Sequence, residues 1–171
     1  MVTEILTPEL QKEEEIVGEL QKLGIRYLSR ASNNTFSQNR PPAQLIAELT
    51  RQPSSRVRNS LISLFLSKPE YAAHVQEALT QINHEQGLTL KFFYTAVVFL
   101  QRKHQIHPTL FMPDLFSNEI GVSGTNADDQ LHDLGPRHQQ VSGLPINWQG
   151  TYENAPRHLF SQWELEKIWK K

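Results

Sequence analysis

Cysteine is absent from this chain of 171 residues, and its absence excludes several kinds of chemistry. A sequence without thiols forms no disulfide, no thiolate zinc site and no iron–sulfur cluster, and it has no cysteine nucleophile. The glycine patterns of phosphate-binding loops, dinucleotide-binding turns and nucleophile elbows are missing as well. We therefore expect a protein without a cofactor.

Long apolar runs are also absent. The longest, "FFYTAVVFL" at residues 92–100, has nine residues, whereas a membrane-spanning helix needs about 20. The opening "MVTEILTPELQKEEEIVGEL" has no basic segment followed by an apolar one, so it predicts no secretory signal. We expect a cytoplasmic protein that does not bind a membrane.

The overall composition is that of a folded protein. Apolar residues make up 38% of the chain and charged residues 20%, with a net charge of -1. This lacks the low hydrophobicity and high net charge of disordered chains. A domain of this size buries roughly 70% of the surface that its unfolded chain exposes. We expect a single helical domain over residues 1–171.

Charge is unevenly distributed along the chain. Residues 26–58 carry six arginines against one acid, Glu48, whereas residues 112–134 carry five acids and no Lys or Arg. The two segments can neutralise each other or face water. Alternatively, the basic segment forms a nucleic-acid-binding face at a helix start, where backbone amides also point at phosphate; its candidate residues are Arg51, Arg56 and Arg58.

The first clear helix is "TPELQKEEEIVGELQKLG", residues 7–24. Thr7 can cap it, Pro8 suits its first position, and Gly24 offers a left-handed end. The following "SRASNNTFSQNRPP" is rich in Ser, Asn and Pro, which predicts a loop or hinge. Residues 1–30 are therefore interpreted as an N-terminal helix and hinge.

Residues 41–106 are predicted to hold the core helices. Pro53, Pro69 and Gly87 divide the first part into three short helices, with apolar residues at helical intervals. This rhythm of helix, Pro-Ser-Ser turn, "RVR" and apolar helix resembles one unit of a HEAT-type helical repeat. The resemblance covers about 40 residues, and the unit is not repeated, whereas solenoids need about three.

"LTLKFFYTAVVFLQRKHQIH", residues 88–107, has the β-branched and aromatic content that also suits a buried strand. Its length favours a helix, because average strands are only about six residues long. Apolar residues occupy nearly the whole circumference of such a helix, so we expect it at the centre of the core.

Residues 108–155 lose periodicity because glycines and prolines recur throughout them. We expect an ordered but irregular region here, followed by a closing helix over residues 156–171 that starts at Pro156. The predicted fold is therefore all-α: an irregular bundle of five to seven helices, with a long ordered loop region before the last helix.

The closing helix carries apolar residues on two sides. Leu159, Phe160 and Trp163 share one side, and Leu165, Ile168 and Trp169 lie roughly opposite. One packing surface cannot bury both sets, so one side should dock on the core and the other should meet a partner or a loop. Aromatic residues are enriched at protein interfaces, which favours a partner.

The stretch "NWQGTYEN", residues 147–154, precedes this helix. Its aromatic residues can line a recognition site or can plug the core beneath a loop. Our leading hypothesis is a small non-enzymatic interaction or adaptor protein that binds another protein, or a second copy of itself. The predicted contact residues are Trp148, Tyr152, Trp163, Leu165, Ile168 and Trp169.

"RKHQIH" gives a different hypothesis. The spacing from Arg102 to His107 resembles the R-x4-H motif of HEPN-type ribonucleases. That resemblance implies an arginine and a histidine at the end of a buried helix, paired across a dimer, that cleave RNA. The same residues also suit a solvated C-terminal helix end, where basic side chains interact favourably with the helix dipole.

Two groups of residues are candidate ligands for a metal. His104 and His107 can share a helical face, and the segment from Asp128 to Asp133 offers three carboxylates and one imidazole. No H-E-x-x-H pattern accompanies the histidines. Because Asp is also common at helix starts and in turns, the sequence predicts no metal site.

Overall fold

The computed structural model of this chain describes residues 8–28 and 39–169, with the side chains of residues 9, 10, 168 and 169 excepted. The predicted cap Thr7 and most of the predicted hinge lie outside the described residues. Within them every regular element is helical, which confirms the all-α class. None of the described helices combines the length and the hydrophobicity that crossing a bilayer requires.

From residue 42 onward the helices follow one another with connections of 12 residues or fewer. Counting the single turns α3 and α7, helical segments in the described part outnumber the five to seven predicted. In chain order they are α1 (Pro8–Lys22), α2 (Pro42–Thr50), α3 (Ser55–Arg58), α4 (Ser60–Ser67), a 3-10 helix (Pro69–His74), α5 (Val75–Leu79), α6 (His84–His104), α7 (Ser117–Ile120), α8 (Ala127–Ser142) and α9 (Trp148–Trp169).

Helix α6 is the centre of the core, as predicted. All residues from 92 to 101 are buried, so this stretch presents no face to water. Asn83 and Gln86 begin the helix with a reciprocal capping box, and Gln105 ends it in the left-handed conformation. Helices α4 and α8 pack against α6. Gly87 lies inside its first turn and does not separate two elements.

Helix α1 ends at Gly24, which adopts φ +96°. The Ile25 amide donates to the Leu20 carbonyl at 2.9 Å, and the Gly24 amide donates to the Gln21 carbonyl at 3.1 Å. These two bonds form a Schellman motif, and the buried side chains of Ile25 and Leu20 supply its hydrophobic contact. The predicted glycine stop is confirmed.

Arg40 links α1 to α2. Its backbone amide donates to Glu19 Oε1 at 2.7 Å, and its guanidinium forms ion pairs with Glu15, Glu19 and Glu48. The Arg40 side chain is only 9% exposed. Removal of one partner from such a buried group is costly because the remaining charges stay desolvated. The cluster therefore joins two helices that are distant in sequence.

The two charged segments do not neutralise each other in the described contacts. The acidic segment pairs with basic side chains on α6 and α8: Glu119 with Lys91, Asp128 with Lys103, and Asp133 with Arg137. Several arginines of the basic segment instead bond to acids of α1 and to backbone carbonyls. Mutual neutralisation was the wrong alternative.

The region predicted to be irregular, residues 108–155, contains the whole of α8 and the start of α9, so the predicted start of the closing helix at Pro156 was wrong. Asn126 caps α8 by accepting from the Asp129 amide at 2.9 Å, and α8 continues through Gly135 and Pro136. Likewise α9 begins at Trp148 and continues through Pro156. Burial of an apolar face outweighs the local cost of these residues, which sequence rules treat as helix breakers.

Helices α8 and α9 approach closely at Gly135. A Cβ atom at this position would lie 2.8 Å from the backbone nitrogen of Gln149 and 2.9 Å from its Cβ. Real Cβ atoms do not reach such distances, so the helices could keep their separation only with glycine here. This contact sets the position of the first turn of α9 against α8.

A stack of aromatic rings holds the same turn of α9 on the core. The His138 ring lies parallel to Phe92, with centroids 4.3 Å apart, and parallel to Trp148, with centroids 3.8 Å apart. Its Nδ1 shares a hydrogen bond with the Tyr152 hydroxyl. All four side chains are buried. Burial lowers the pKa of His138 to about 3, so the ring is neutral at pH 7.

We predict that Gly135→Ala destabilises the protein by about 1–3 kcal/mol, because the added methyl must displace the α9 backbone. Gly87→Ala is the matched control. It lies in a helix too, but its Cβ would only meet the Leu79 side chain at 3.5 Å, so it should be neutral or stabilising by about 0.5–1 kcal/mol. Urea unfolding of both variants measures this, and equal effects would contradict the close approach.

We also predict an acid-sensitive core. Between pH 6.5 and about 3, the unfolded chain binds a proton at His138 and the folded chain does not. Stability therefore falls as pH falls, by about 2 kcal/mol between pH 7 and pH 5. The double variant His138→Phe with Tyr152→Phe removes the titrating ring without leaving an unpaired hydroxyl. Urea unfolding at pH 7 and pH 5 should show this loss of stability in the wild type. In the double variant the loss between the two pH values should be smaller by about 2 kcal/mol. The same pH dependence in both proteins would contradict the prediction.

Candidate functional site

A cleft of about 550 Å³ lies between α9 and the segments around Tyr27 and α3. Among the described residues, its lining consists mostly of polar side chains and contains no aspartate or glutamate. We call it the polar cleft, and define it by its lining residues Tyr27, Arg56, Asn59, Asn147, Gly150, Thr151, Asn154, Ala155 and His158.

One wall of the polar cleft is a stripe of α9 and its cap. Asn147, Thr151, Asn154 and His158 recur at helical intervals and therefore share one face. The neighbouring stripe of Trp148, Tyr152 and Leu159 is buried against the core. The apolar stripe fixes the rotation of α9, and this rotation turns the polar stripe toward the cleft.

Asn147 also caps the start of α9. Its Oδ1 accepts from the Gly150 amide at 3.1 Å, and its carbonyl accepts from the Thr151 amide at 3.1 Å, as a helix cap does. Gly150 leaves room for this arrangement, because a Cβ there would lie 2.9 Å from Asn147 Nδ2. The cleft wall and the helix start are thus built from the same residues.

The opposite wall comes from earlier parts of the chain. Arg56 lies in α3, and its Nη2 donates to the Leu28 carbonyl at 3.0 Å. The Tyr27 hydroxyl bonds to Ser63 Oγ at 2.7 Å, and its ring stacks on His158 with centroids 5.3 Å apart. Burial raises the pKa of Tyr27, while the Ser63 hydrogen bond and the nearby Arg56 charge act in the opposite direction. Tyr27 is therefore a neutral phenol at pH 7.

The structure divides the predicted "NWQGTYEN" contact residues into two groups. Trp148 and Tyr152 are buried in the His138 stack, 6% and 0% exposed. Their burial corrects the prediction that they offer a contact surface and supports the alternative that they plug the core. The polar residues between and beside them line the cleft instead, because successive helical residues point in different directions.

The rest of the predicted contact surface lies further along α9. Trp163 is half-buried, with its ring near Phe160 and His107, and Leu165 is 57% exposed. Gln162 bonds to the backbone at Gly24 and Arg26, which ties this part of α9 to the end of α1. The side chains of Ile168 and Trp169 lie outside the described residues.

Arg102 and His107 flank the end of α6. Arg102 lies in its last turn, and His107 follows the helix with φ +49°. Both side chains are exposed. A non-glycine residue with positive φ is uncommon and is maintained by its surroundings; here the His107 ring lies against Trp163, with centroids 6.4 Å apart.

The three arginines predicted to bind nucleic acid each donate to a backbone carbonyl. Arg51 bonds to Gln81, Arg56 to Leu28 and Arg58 to Gln52, at 2.8 to 3.0 Å. Burial lowers the pKa of Arg58. Arg51 lines a different cleft of about 300 Å³, beside Arg40, so the structure brings only Arg56 to the polar cleft.

The acidic residues that were candidate metal ligands each bond to a different residue. Asp128 pairs with Lys103, Asp129 contacts Thr125, and Asp133 pairs with Arg137. Across residues 8–28 and 39–169, no group of three or more His, Asp or Glu side chains is arranged to hold a metal.

Arg56 alone of the nine residues that line the polar cleft was predicted by number as a site residue. Asn147, Gly150, Thr151 and Asn154 belong to the stretch 147–154 that was predicted to line a recognition site, whereas Tyr27, Asn59, Ala155 and His158 lie outside it. The helical spacing of Asn147, Thr151, Asn154 and His158 indicates one polar face. The predicted start of the closing helix at Pro156 placed the first three of them outside the helix, so this face was not predicted. Comparison of the chain with protein family models, with curated proteins and with solved structures finds no match. Its function is therefore inferred from the residues themselves.

Proposed function

We propose that this protein is a non-enzymatic interaction protein that binds a segment of a partner protein in the polar cleft, against α9. The observation that supports this is the polar stripe of α9, which is held toward the cleft by a buried stripe on the same helix. Binding groups mounted on a rigid element lose little conformational freedom when a ligand arrives.

The chemistry of the lining fits a peptide. Each asparagine side chain carries both a donor and an acceptor, as a peptide group does, and three asparagines line the polar cleft. Its volume of about 550 Å³ lies in the usual range of ligand sites. The Tyr27 hydroxyl is bonded to Ser63, and the described lining residues offer no nucleophile hydrogen-bonded to a base, so binding is the better proposal than catalysis.

Exposed apolar residues lie next to the same helix and can extend the contact. Val141, in the last turn of α8, is 51% exposed, and in the connection that leads into α9 Leu144 is 50% exposed and Ile146 is 37% exposed. Protein interfaces combine polar contacts with buried apolar area. A partner segment in the cleft would thus continue onto Ile146 and Leu144.

We predict that Asn154→Trp abolishes partner binding, because a large side chain on the exposed face of α9 would fill the cleft. Asn118→Trp is the matched control, since Asn118 is also an exposed asparagine but lies on α7. Affinity capture from cytosolic extract, with quantitative mass spectrometry, should recover the same stoichiometric protein with the wild type and Asn118→Trp only. Equal capture by all three, or no captured protein, would contradict the proposal.

A ribonuclease is the second candidate, supported by the joint exposure of Arg102 and His107 around the left-handed end of α6. If it is correct, Arg102→Ala and His107→Ala should each lower RNA cleavage by about 100-fold or more. His132→Ala, which removes an exposed histidine on α8, should not. Measured cleavage that persists in both variants removes this candidate. The nucleic-acid-binding role of Arg51, Arg56 and Arg58 stays a prediction.

A further inference from the structure

We infer that the polar cleft recognises an acidic peptide: Arg56 binds a carboxylate or phosphate group of the partner segment, while the surrounding amides bind its backbone. This inference rests on the proposed function, and it names the chemistry of the segment that the cleft accepts.

The charge of the lining supports an anion. Among the described residues that line the polar cleft, Arg56 carries the one permanent charge, and none is an aspartate or glutamate. Asn59, Asn147, Asn154 and Thr151 are neutral and can donate hydrogen bonds. A basic partner group would meet the guanidinium without a compensating acid, whereas an anion would meet a charge-assisted donor.

Arg56 is already oriented. One of its nitrogens donates to the Leu28 carbonyl, and a guanidinium has five N–H donors, so donors remain for a ligand. Fixing one end of a flexible side chain in advance reduces the entropy lost on binding. The bond to Leu28 therefore makes Arg56 a better anion contact than an untethered surface arginine.

The position of the polar cleft near the start of α9 also favours an anion. Asn147, Gly150 and Thr151 lie at the cap and in the first turn of this helix of 22 residues. The first turn of a helix carries partial positive charge, which favours an anion near these three residues. This contribution adds to that of Arg56 and would not define a site alone.

A peptide fits these observations better than a nucleic acid does. Strong binding to nucleic acid needs several cations that contact successive phosphates, but among the described residues Arg51 and Arg58 are not part of the lining of the polar cleft, which holds Arg56 alone. The aromatic rings of the cleft, Tyr27 and His158, stack on each other, so one face of each is already covered and unavailable to a base.

The test is an NMR titration of the full-length protein that follows the side-chain amides of Asn59, Asn147 and Asn154. The probe is acetyl-Glu-Glu-Glu-amide, with acetyl-Gln-Gln-Gln-amide as the uncharged match. A phosphoserine peptide and inorganic phosphate show whether a phosphate binds there too, and an oligouridine tests nucleic acid. We expect the glutamate peptide at millimolar concentration to shift these amides, with about tenfold weaker binding of the glutamine peptide.

Variants show whether Arg56 is responsible. Arg56→Ala should weaken binding of the glutamate peptide at least about tenfold, which is a loss of about 1.4 kcal/mol of binding free energy. Arg51→Ala removes a guanidinium that is also bonded to a carbonyl but lies outside the polar cleft, so it should have no effect. If Arg56→Ala does not fold, Asn154→Asp serves as the second variant, because it places a negative charge in the cleft. It should weaken binding of the same peptide, and Asn118→Asp should not.

Several results would overturn the inference: no shift with the glutamate peptide, equal binding of the glutamine peptide, no effect of Arg56→Ala and Asn154→Asp, or tighter binding of oligouridine. Its failure differs from failure of the proposed function. If Asn154→Trp abolishes partner capture and Arg56→Ala does not, the cleft binds a partner without an anion contact. If the acidic peptide binds through Arg56 but Asn154→Trp does not alter capture, the anion site stands and the proposed function is wrong.

Discussion

The rotation of α9 about its own axis is set by the stack of Phe92, His138 and Trp148, and the polar cleft depends on that rotation. The three rings lie parallel at 3.8 to 4.3 Å, and Tyr152 adds a hydrogen bond one turn later along α9. With Trp148 and Tyr152 buried, the residues on the adjacent stripe can only face α3 and Tyr27. Gly135 allows this packing because α8 and α9 meet there without an intervening side chain.

Arginine side chains connect separate helices and turns of this chain. Arg40 collects three glutamates from two helices, and Arg51, Arg56 and Arg58 each bond to the carbonyl of a different segment. A guanidinium suits this role because it remains charged and offers several donors in a fixed geometry. Arg56 alone of these combines a structural bond with a place in the polar cleft, which is why we assign it a role in binding.

Local sequence signals predicted α1 and α6 well. In α1 the Gly24 stop is a local backbone property. In α6 residues 92 to 100 are apolar apart from Thr95, so the helix has no polar face to turn to water and must lie in the core. The same rules failed for α8 and α9, where Gly135, Pro136 and Pro156 indicated breaks. A proline or glycine costs a helix about 1 to 3 kcal/mol, and burial of Leu131, Leu134 and Leu159 at the same helices more than offsets it.

The sequence by itself determined the helical class, the central position of α6 and the absence of thiol chemistry, because these follow from residue types and their spacing along one segment. Only the tertiary structure decided that Trp148 and Tyr152 are core residues and that Arg56 and Asn154, far apart in the chain, line one cleft. An amphipathic pattern shows that a helix has two faces. Which face is covered depends on how distant helices pack around α6, and that packing is a property of the whole chain.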